Sequence, residues 1–199
     1  MKSKFIIFFV ITFLLLSGCK TTGTAAPGTI PENSKPSEQI KQQEQINMGL
    51  MITREAATYM RTPYSSPPKV PASFDCSSFV SHVYGQFGYK LPTATSAFGN
   101  VGKRIEWKDA VPGDLLIFAR EKGSSTIDHV AMLWKKSDSG TLAGSWVIHA
   151  ASINTGTSMQ RGNPDTKTGI VITQLGLRGD GIIENEYFYQ RFMYCARVE

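Results

Sequence analysis

Cysteine and histidine are both scarce in this chain, with three of each among 199 residues, and no Cys-x-x-Cys or His-x-x-x-His pair occurs. Zinc sites usually draw on paired ligands at such short spacings, so the sequence predicts no metal centre. Dense basic runs are missing too: the formal net charge of +5 is scattered over positions such as Lys103, Arg104, Lys108, Lys135 and Lys136. That scatter offers no footprint for nucleic acid and allows only a diffuse attraction to an anionic surface. Internal repeats are absent. The apolar run Phe5 to Leu15, broken only by Thr12, is too short to span a bilayer comfortably.

That run belongs to an export leader. Met1-Lys2-Ser3-Lys4 supplies a basic start and Leu16-Ser17-Gly18-Cys19 a small-residue end, so residues 1–18 read as a signal peptide. The tetrapeptide resembles the bacterial lipobox, whose cysteine is diacylated and becomes the new N-terminus. The resemblance implies lipidation of Cys19 and firm attachment to a membrane, because several acyl chains anchor where one does not. Loss of Lys2 and Lys4 lowers the formal charge from +5 to +3. Lys20 is not the aspartate that retains lipoproteins at the inner membrane in some bacteria. The expected location is therefore the cell envelope, on an outer membrane facing the periplasm where the cell has one. Residues 19–41, rich in Thr, Gly, Pro, Ser and Gln, predict a flexible tether, and 42–199 a single domain expected to be a monomer.

From about Ser37 the pattern turns helical, with Met48, Ile52, Ala56, Tyr59 and Met60 on one side as core, and Thr62-Pro63 ending the helix. Tyr64 then opens a loop rich in Ser and Pro; the residues leave open whether it edges the core or donates its hydroxyl into a cleft. A second amphipathic helix starts at Cys76, with Phe79, Val80, Val83, Tyr84 and Phe87 on its apolar face. Gly88 to Lys108 reads as irregular, with a turn near Ser96. Apolar runs at Asp114–Phe118, Asp128–Trp134, Ser145–Ala150, Ile170–Leu175 and Tyr187–Val198 predict strands, the second and third forming an antiparallel hairpin.

A lone cysteine is most often a small buried hydrophobe. Cys76 differs in its company. The first turn of its helix offers unpaired N–H groups and a positive dipole end, which favour a thiolate or an oxyanion. His129 opens one strand of the hairpin and His149 closes the other, so the two are expected side by side. A thiol, an imidazole to take and return its proton, and a polar group on the far ring nitrogen are what nucleophilic catalysis requires. Cys76, His129 and His149 can fill those roles in that order, although His149 also reads as a structural strand histidine. His82 lies six positions beyond Cys76, about 120° away around the helix, and reads as a surface or core-edge residue. With Cys19 lipidated, Cys76 and Cys195 are the remaining thiols. An exported protein can join such a pair, but Cys195 lies in a strand-like stretch where a buried free cysteine is the ordinary reading, so two free thiols are expected.

Tyr64 after Pro63, Phe74-Asp75-Cys76-Ser77-Ser78, Pro112-Gly113-Asp114-Leu115, Asp128-His129-Val130-Ala131-Met132 and Ile148-His149-Ala150 together resemble the successive motifs of the NlpC family of bacterial cell-wall cysteine endopeptidases. The resemblance covers roughly Asn47 to Val198. It implies an α+β, papain-like fold with a nucleophile-bearing helix packed on a central antiparallel sheet. It also implies catalysis by Cys76, His129 and His149, with the Tyr64 hydroxyl near the nucleophile as an oxyanion or substrate contact. The implied substrate is the peptidoglycan stem peptide, cut at the γ-D-glutamyl to diamino acid bond, without a metal or organic cofactor. The chain departs from the family pattern at Ser65-Ser66-Pro67-Pro68, where Trp/Tyr-Gly-Gly is usual, at Ser78, where glycine is common, and in the longer spacing between His129 and His149 and the added segment Asn154 to Glu186. Two further readings use the same residues: a non-catalytic wall-binding lipoprotein of this fold, and a thiol amidase or acyltransferase acting on another substrate.

Overall fold

A computed structural model of the chain describes residues 36–151, 169–176 and 186–199. All of them fall within the unit Lys35–Glu199. The expected leader, Cys19, most of the tether and most of the added segment lie outside the described residues.

Helix α1 (Pro36–Thr58) begins inside the expected tether. Pro36 suits the first helical position, where no N–H partner is needed, and Glu38 sits in the first turn, where the helix dipole favours negative charge. Its buried stripe is narrower than the sequence predicts. Ile52, Thr53 and Ala56 are buried, but Met48 is 37% exposed. The helix stops at Thr58 because Arg61 adopts a left-handed backbone, φ 73°, and donates its N–H to Ile170 O at 3.1 Å, so Tyr59 and Met60 belong to the turn rather than the helix. Gly49 is the point of closest approach, since a Cβ there would come within 1.8 Å of Pro112 O.

Helix α2 (Cys76–Gly85) starts where the sequence predicts. Asp75 accepts a hydrogen bond from Ser78 N at 2.7 Å while Ser78 Oγ accepts one from Asp75 N at 3.0 Å. This reciprocal cap satisfies two otherwise orphaned donors. Ser78, where glycine is common, therefore holds the helix start in place. Phe79, Val80, Val83 and Tyr84 are buried, and the Tyr84 hydroxyl donates to Gly113 O at 2.6 Å.

Among the described residues, six antiparallel strands, β1 (Lys103–Ile105), β2 (Leu115–Ala119), β3 (Ile127–Lys135), β4 (Trp146–Ala151), β5 (Gly169–Gln174) and β6 (Phe192–Arg197), form one sheet in the order β1-β6-β2-β3-β4-β5. Period-two alternation divides their side chains between two clusters. Leu115, Ile117, Val130, Met132, Ile148, Ala150, Ile170 and Ile172 pack with α1 and α2 residues in one, while Leu116, Phe118, Ala131, Leu133, Val147 and Cys195 make the other. Cys76 and Cys195 are free thiols in different clusters.

The region expected to be irregular between Gly88 and Lys108 contains a 3₁₀ turn at Thr95–Asn100 and the edge strand β1. The strand expected from Tyr187 starts at Phe192 instead, preceded by the short helix α3 (Glu186–Tyr189). A turn bond from Arg191 N to Phe188 O, 3.0 Å, closes α3, and pairing with β2 begins only at Phe192. In this way Phe188 is buried while Tyr187 and Tyr189 stay exposed.

Candidate active site

Cys76 is 6% exposed at the start of α2. Its helix is bound to the following segment by two serines: Ser77 Oγ donates to Thr93 O at 2.6 Å and Ser81 Oγ to Pro92 O. That attachment brings Thr95 over the thiol, with Cys76 Sγ and Thr95 Oγ1 3.4 Å apart. Burial raises the thiol pKa above its ordinary value, and hydrogen bonds from Thr95 and the backbone at Val130 and Ser77 only partly oppose it.

His129 lies on β3 opposite Phe118 of β2. Its Nε2 is 2.9 Å from His149 Nδ1, and His149 Nε2 is 2.9 Å from Thr173 Oγ1 on β5. Phe188 stacks on His129 with centroids 4.4 Å apart at 29° and meets His149 edge-on at 5.0 Å. His149 is fully buried and His129 half-buried against Phe188, and desolvation disfavours the charged form of each. It lowers the His149 pKa to about 3 and the His129 pKa well below its ordinary value, His149 adding to the second effect.

A cavity of about 180 Å³ is lined by Tyr64, Cys76, Asp128, His129, Phe188 and Arg191, among others. It brings the thiol, the His129 imidazole and Tyr64 together at one end of the sheet. The thiol belongs to the cluster beneath α2, whereas both imidazoles pack against Phe188 of the other cluster. In keeping with that division, the thiol's side-chain hydrogen bond is to Thr95 and not to His129. His82 stands apart, 3.0 Å from the Tyr59 hydroxyl and edge-on to its ring. A larger hollow of about 320 Å³ between α1 and the end of β6 contains neither thiol nor imidazole. Among the described residues, no group of three or more His, Cys, Asp or Glu side chains gathers in a way that would hold a metal ion.

Thr95, Thr173 and Phe188 are absent from the sequence reading. Thr173 left a faint signal, a hydroxyl closing the apolar run Ile170-Val171-Ile172. Thr95 and Phe188 left none, because tertiary packing alone brings them to the site.

The two histidines give a signed expectation for stability. His149 binds its proton near pH 3 when folded and near 6.5 when unfolded, so the unfolded chain takes up more protons between those values. Its contribution is complete above pH 6.5 and drains away as pH falls towards 3, reaching about 2 kcal/mol of loss by pH 5. His129 adds to the same slope. Denaturant titrations at pH 7, 6 and 5 should show that decline, and an unchanged midpoint would mean that the imidazoles are not buried neutral.

Comparison with known proteins adds four likenesses. Residues 61–170 match the model of the NlpC/P60 family, a span that includes Tyr64, Cys76, His129 and His149 but stops short of Thr173. A gamma-D-glutamyl-L-lysine dipeptidyl-peptidase of Bacillus subtilis (strain 168) is 29% identical over 98 residues, 49% of this chain and 33% of the relative. The chain spans a third or less of the length of the first curated relatives it matches. Among solved structures, an NlpC/P60 family protein from Bacillus cereus ATCC 10987 superposes with a TM-score of 0.55 at 20% identity, covering 75% of this chain and 39% of the other. The NlpC/p60 domain of peptidoglycan hydrolase SagA gives 0.50 at 25% identity, covering 75% of this chain and 98% of that domain. The fold is thus the expected α+β, papain-like arrangement.

Proposed function

The chain belongs to the NlpC/P60 family, and from that premise we propose that it is a cysteine peptidase hydrolysing peptidoglycan stem peptides at the γ-D-glutamyl to diamino acid bond, with Cys76 as nucleophile, His129 as general base and His149 orienting the base. The observation that carries this reading is the shared cavity lined by the thiol and by an imidazole whose Nε2 lies within hydrogen-bond distance of a second imidazole. With Nε2 committed to His149, Nδ1 is the nitrogen of His129 that exchanges a proton with sulfur.

At rest both partners are neutral, a thiol and an imidazole, because burial raises the one pKa and lowers the other. When substrate fills the cavity, the thiol exchanges its bond to Thr95 for one to His129 and passes its proton to Nδ1 as sulfur attacks the scissile carbonyl carbon. The oxyanion that forms lies at the start of α2. There the Asp75 cap occupies Ser78 N, so Cys76 and Ser77 are the backbone donors, with the Tyr64 hydroxyl beside them. Collapse breaks the carbon–nitrogen bond, and the leaving amine takes the proton from His129. A water molecule, deprotonated by the same nitrogen, then cleaves the thioester, releasing the acid and restoring the thiol. His149 Nδ1 accepts a hydrogen bond from His129 Nε2–H throughout and steadies the imidazolium while it exists.

The leader at 1–18, lipidation of Cys19 and attachment to the cell envelope, on an outer membrane facing the periplasm where there is one, form the second part of the reading, together with a monomeric state. Support comes from the basic start, the apolar run and the Leu16-Ser17-Gly18-Cys19 tetrapeptide. Incubation of the purified protein with isolated peptidoglycan should release stem-peptide fragments, and Cys76→Ala should abolish the release. Binding to the wall without release, unaltered by the substitution, would favour the wall-binding alternative, and thiol-dependent modification of a different substrate the transferase.

A further inference from the structure

We propose that Thr173 is a positioning residue for the reaction, supplying the buried hydroxyl acceptor that lets His149 carry its hydrogen on Nε2 and His129 present an unprotonated Nδ1 to the thiol; the inference rests on the catalytic reading above and extends it beyond the matched span 61–170.

The geometry is a diagonal row across three neighbouring strands. Thr173 of β5 pairs with Val147 of β4, which shares a face with His149 two residues on. The row runs from His129 Nε2 to His149 Nδ1, 2.9 Å, and from His149 Nε2 to Thr173 Oγ1, 2.9 Å. His149 and Thr173 are both fully buried, so water cannot replace either partner.

Proton bookkeeping along this row has one productive arrangement. Nδ1 of His129 can accept the thiol proton only if the neutral ring carries its hydrogen on Nε2. That hydrogen is donated to His149 Nδ1, which must be bare. His149 then holds its own hydrogen on Nε2 and donates it to Thr173 Oγ1. Without an oxygen at position 173, the buried Nε2–H has no acceptor, and His149 gains by moving its hydrogen to Nδ1. The shared hydrogen bond is then donated in the opposite direction, and His129 is left protonated on the nitrogen that faces the thiol. The hydroxyl of residue 173 therefore acts two rings away from the reacting sulfur.

Thr173→Val preserves shape and removes the acceptor, and Thr173→Ser restores it. Stem-peptide hydrolysis by Thr173→Val should fall at least about tenfold in kcat with KM within about twofold of the parent, and Thr173→Ser should recover most of the rate. Long-range ¹⁵N–¹H spectra of the full-length imidazole-labelled protein should show His149 protonated on Nε2 in the parent and on Nδ1 in Thr173→Val. Thr173→Val with parental kcat and an unchanged tautomer would overturn the inference. Equal loss in Thr173→Val and Thr173→Ser, matched by equal loss of thermal stability, would also overturn it by reducing position 173 to packing. The spectrum is independent of turnover: a tautomer change in a protein that releases nothing from peptidoglycan supports the role of Thr173 and rejects the peptidase reading.

Discussion

His129→Gln should lower kcat/KM for stem-peptide hydrolysis by about 10³-fold or more while leaving the protein folded. Glutamine fills much of the ring volume beneath Phe188 and can still donate to His149, but it cannot take a proton from sulfur. The loss is expected to be large because burial holds the Cys76 thiol above its ordinary pKa, so almost no thiolate exists at neutral pH without a base at hand. Alkylation separates chemistry from folding. Cys76 in the variant should still react with iodoacetamide, its rate rising through the alkaline range as the raised thiol pKa requires. In the parent, kcat/KM should keep its plateau down to well below pH 6.5, because neutral His129 is the active form and its pKa is depressed. Activity within tenfold of the parent in His129→Gln would assign the base elsewhere.

Arg197→Met should destabilise the domain by about 3–5 kcal/mol, which for a chain of this size moves the thermal midpoint by about 10 °C. Arg197 on β6 donates from Nε to Asp114 Oδ1 at 2.9 Å and from Nη2 to Asp114 Oδ2 at 2.7 Å. The two side chains are only 16% and 5% exposed. Asp114 Oδ2 also accepts Val111 N at 2.7 Å, and Arg197 Nη2 reaches Asp109 O at 2.8 Å. Methionine removes the cation and leaves a buried carboxylate behind, which costs far more than the pair itself contributes. Asp114→Asn combined with Arg197→Met should accordingly be less damaging than the two single changes summed, a comparison that calorimetry can make. A drop of less than 1 kcal/mol in Arg197→Met would show that this carboxylate is hydrated. The pair matters beyond its own site because Gly113, next to Asp114, receives the Tyr84 hydroxyl of α2 and touches Gly49 of α1. Loosening it frees the helix that carries Cys76.

The elements around the site were legible where one local pattern had one interpretation. The apolar stripe at three- and four-residue spacing after Cys76 specifies a helix and its buried face, and the continuous apolar runs around His129 and His149 specify buried strands. The stretch Tyr187-Phe188-Tyr189 was not legible, since an aromatic cluster suits strand or helix and only the space beside His129 decides for a helical turn. Met48 misled for a related reason. Its position on the helix fits a core stripe, yet the sheet and α2 cover only the segment around Ile52 and Ala56.

The sequence by itself determined the chemistry available, one thiol at a helix start and two imidazoles in neighbouring apolar strands, because residue type and spacing along the chain are local properties. Tertiary structure alone decided how those groups are tuned. Which hydroxyl meets the sulfur, which ring covers the base and which threonine closes the imidazole row depend on contacts between Cys76 and Thr95, His129 and Phe188, and His149 and Thr173. Those partners lie far apart along the chain, and no local pattern encodes a distance that only the packed sheet creates.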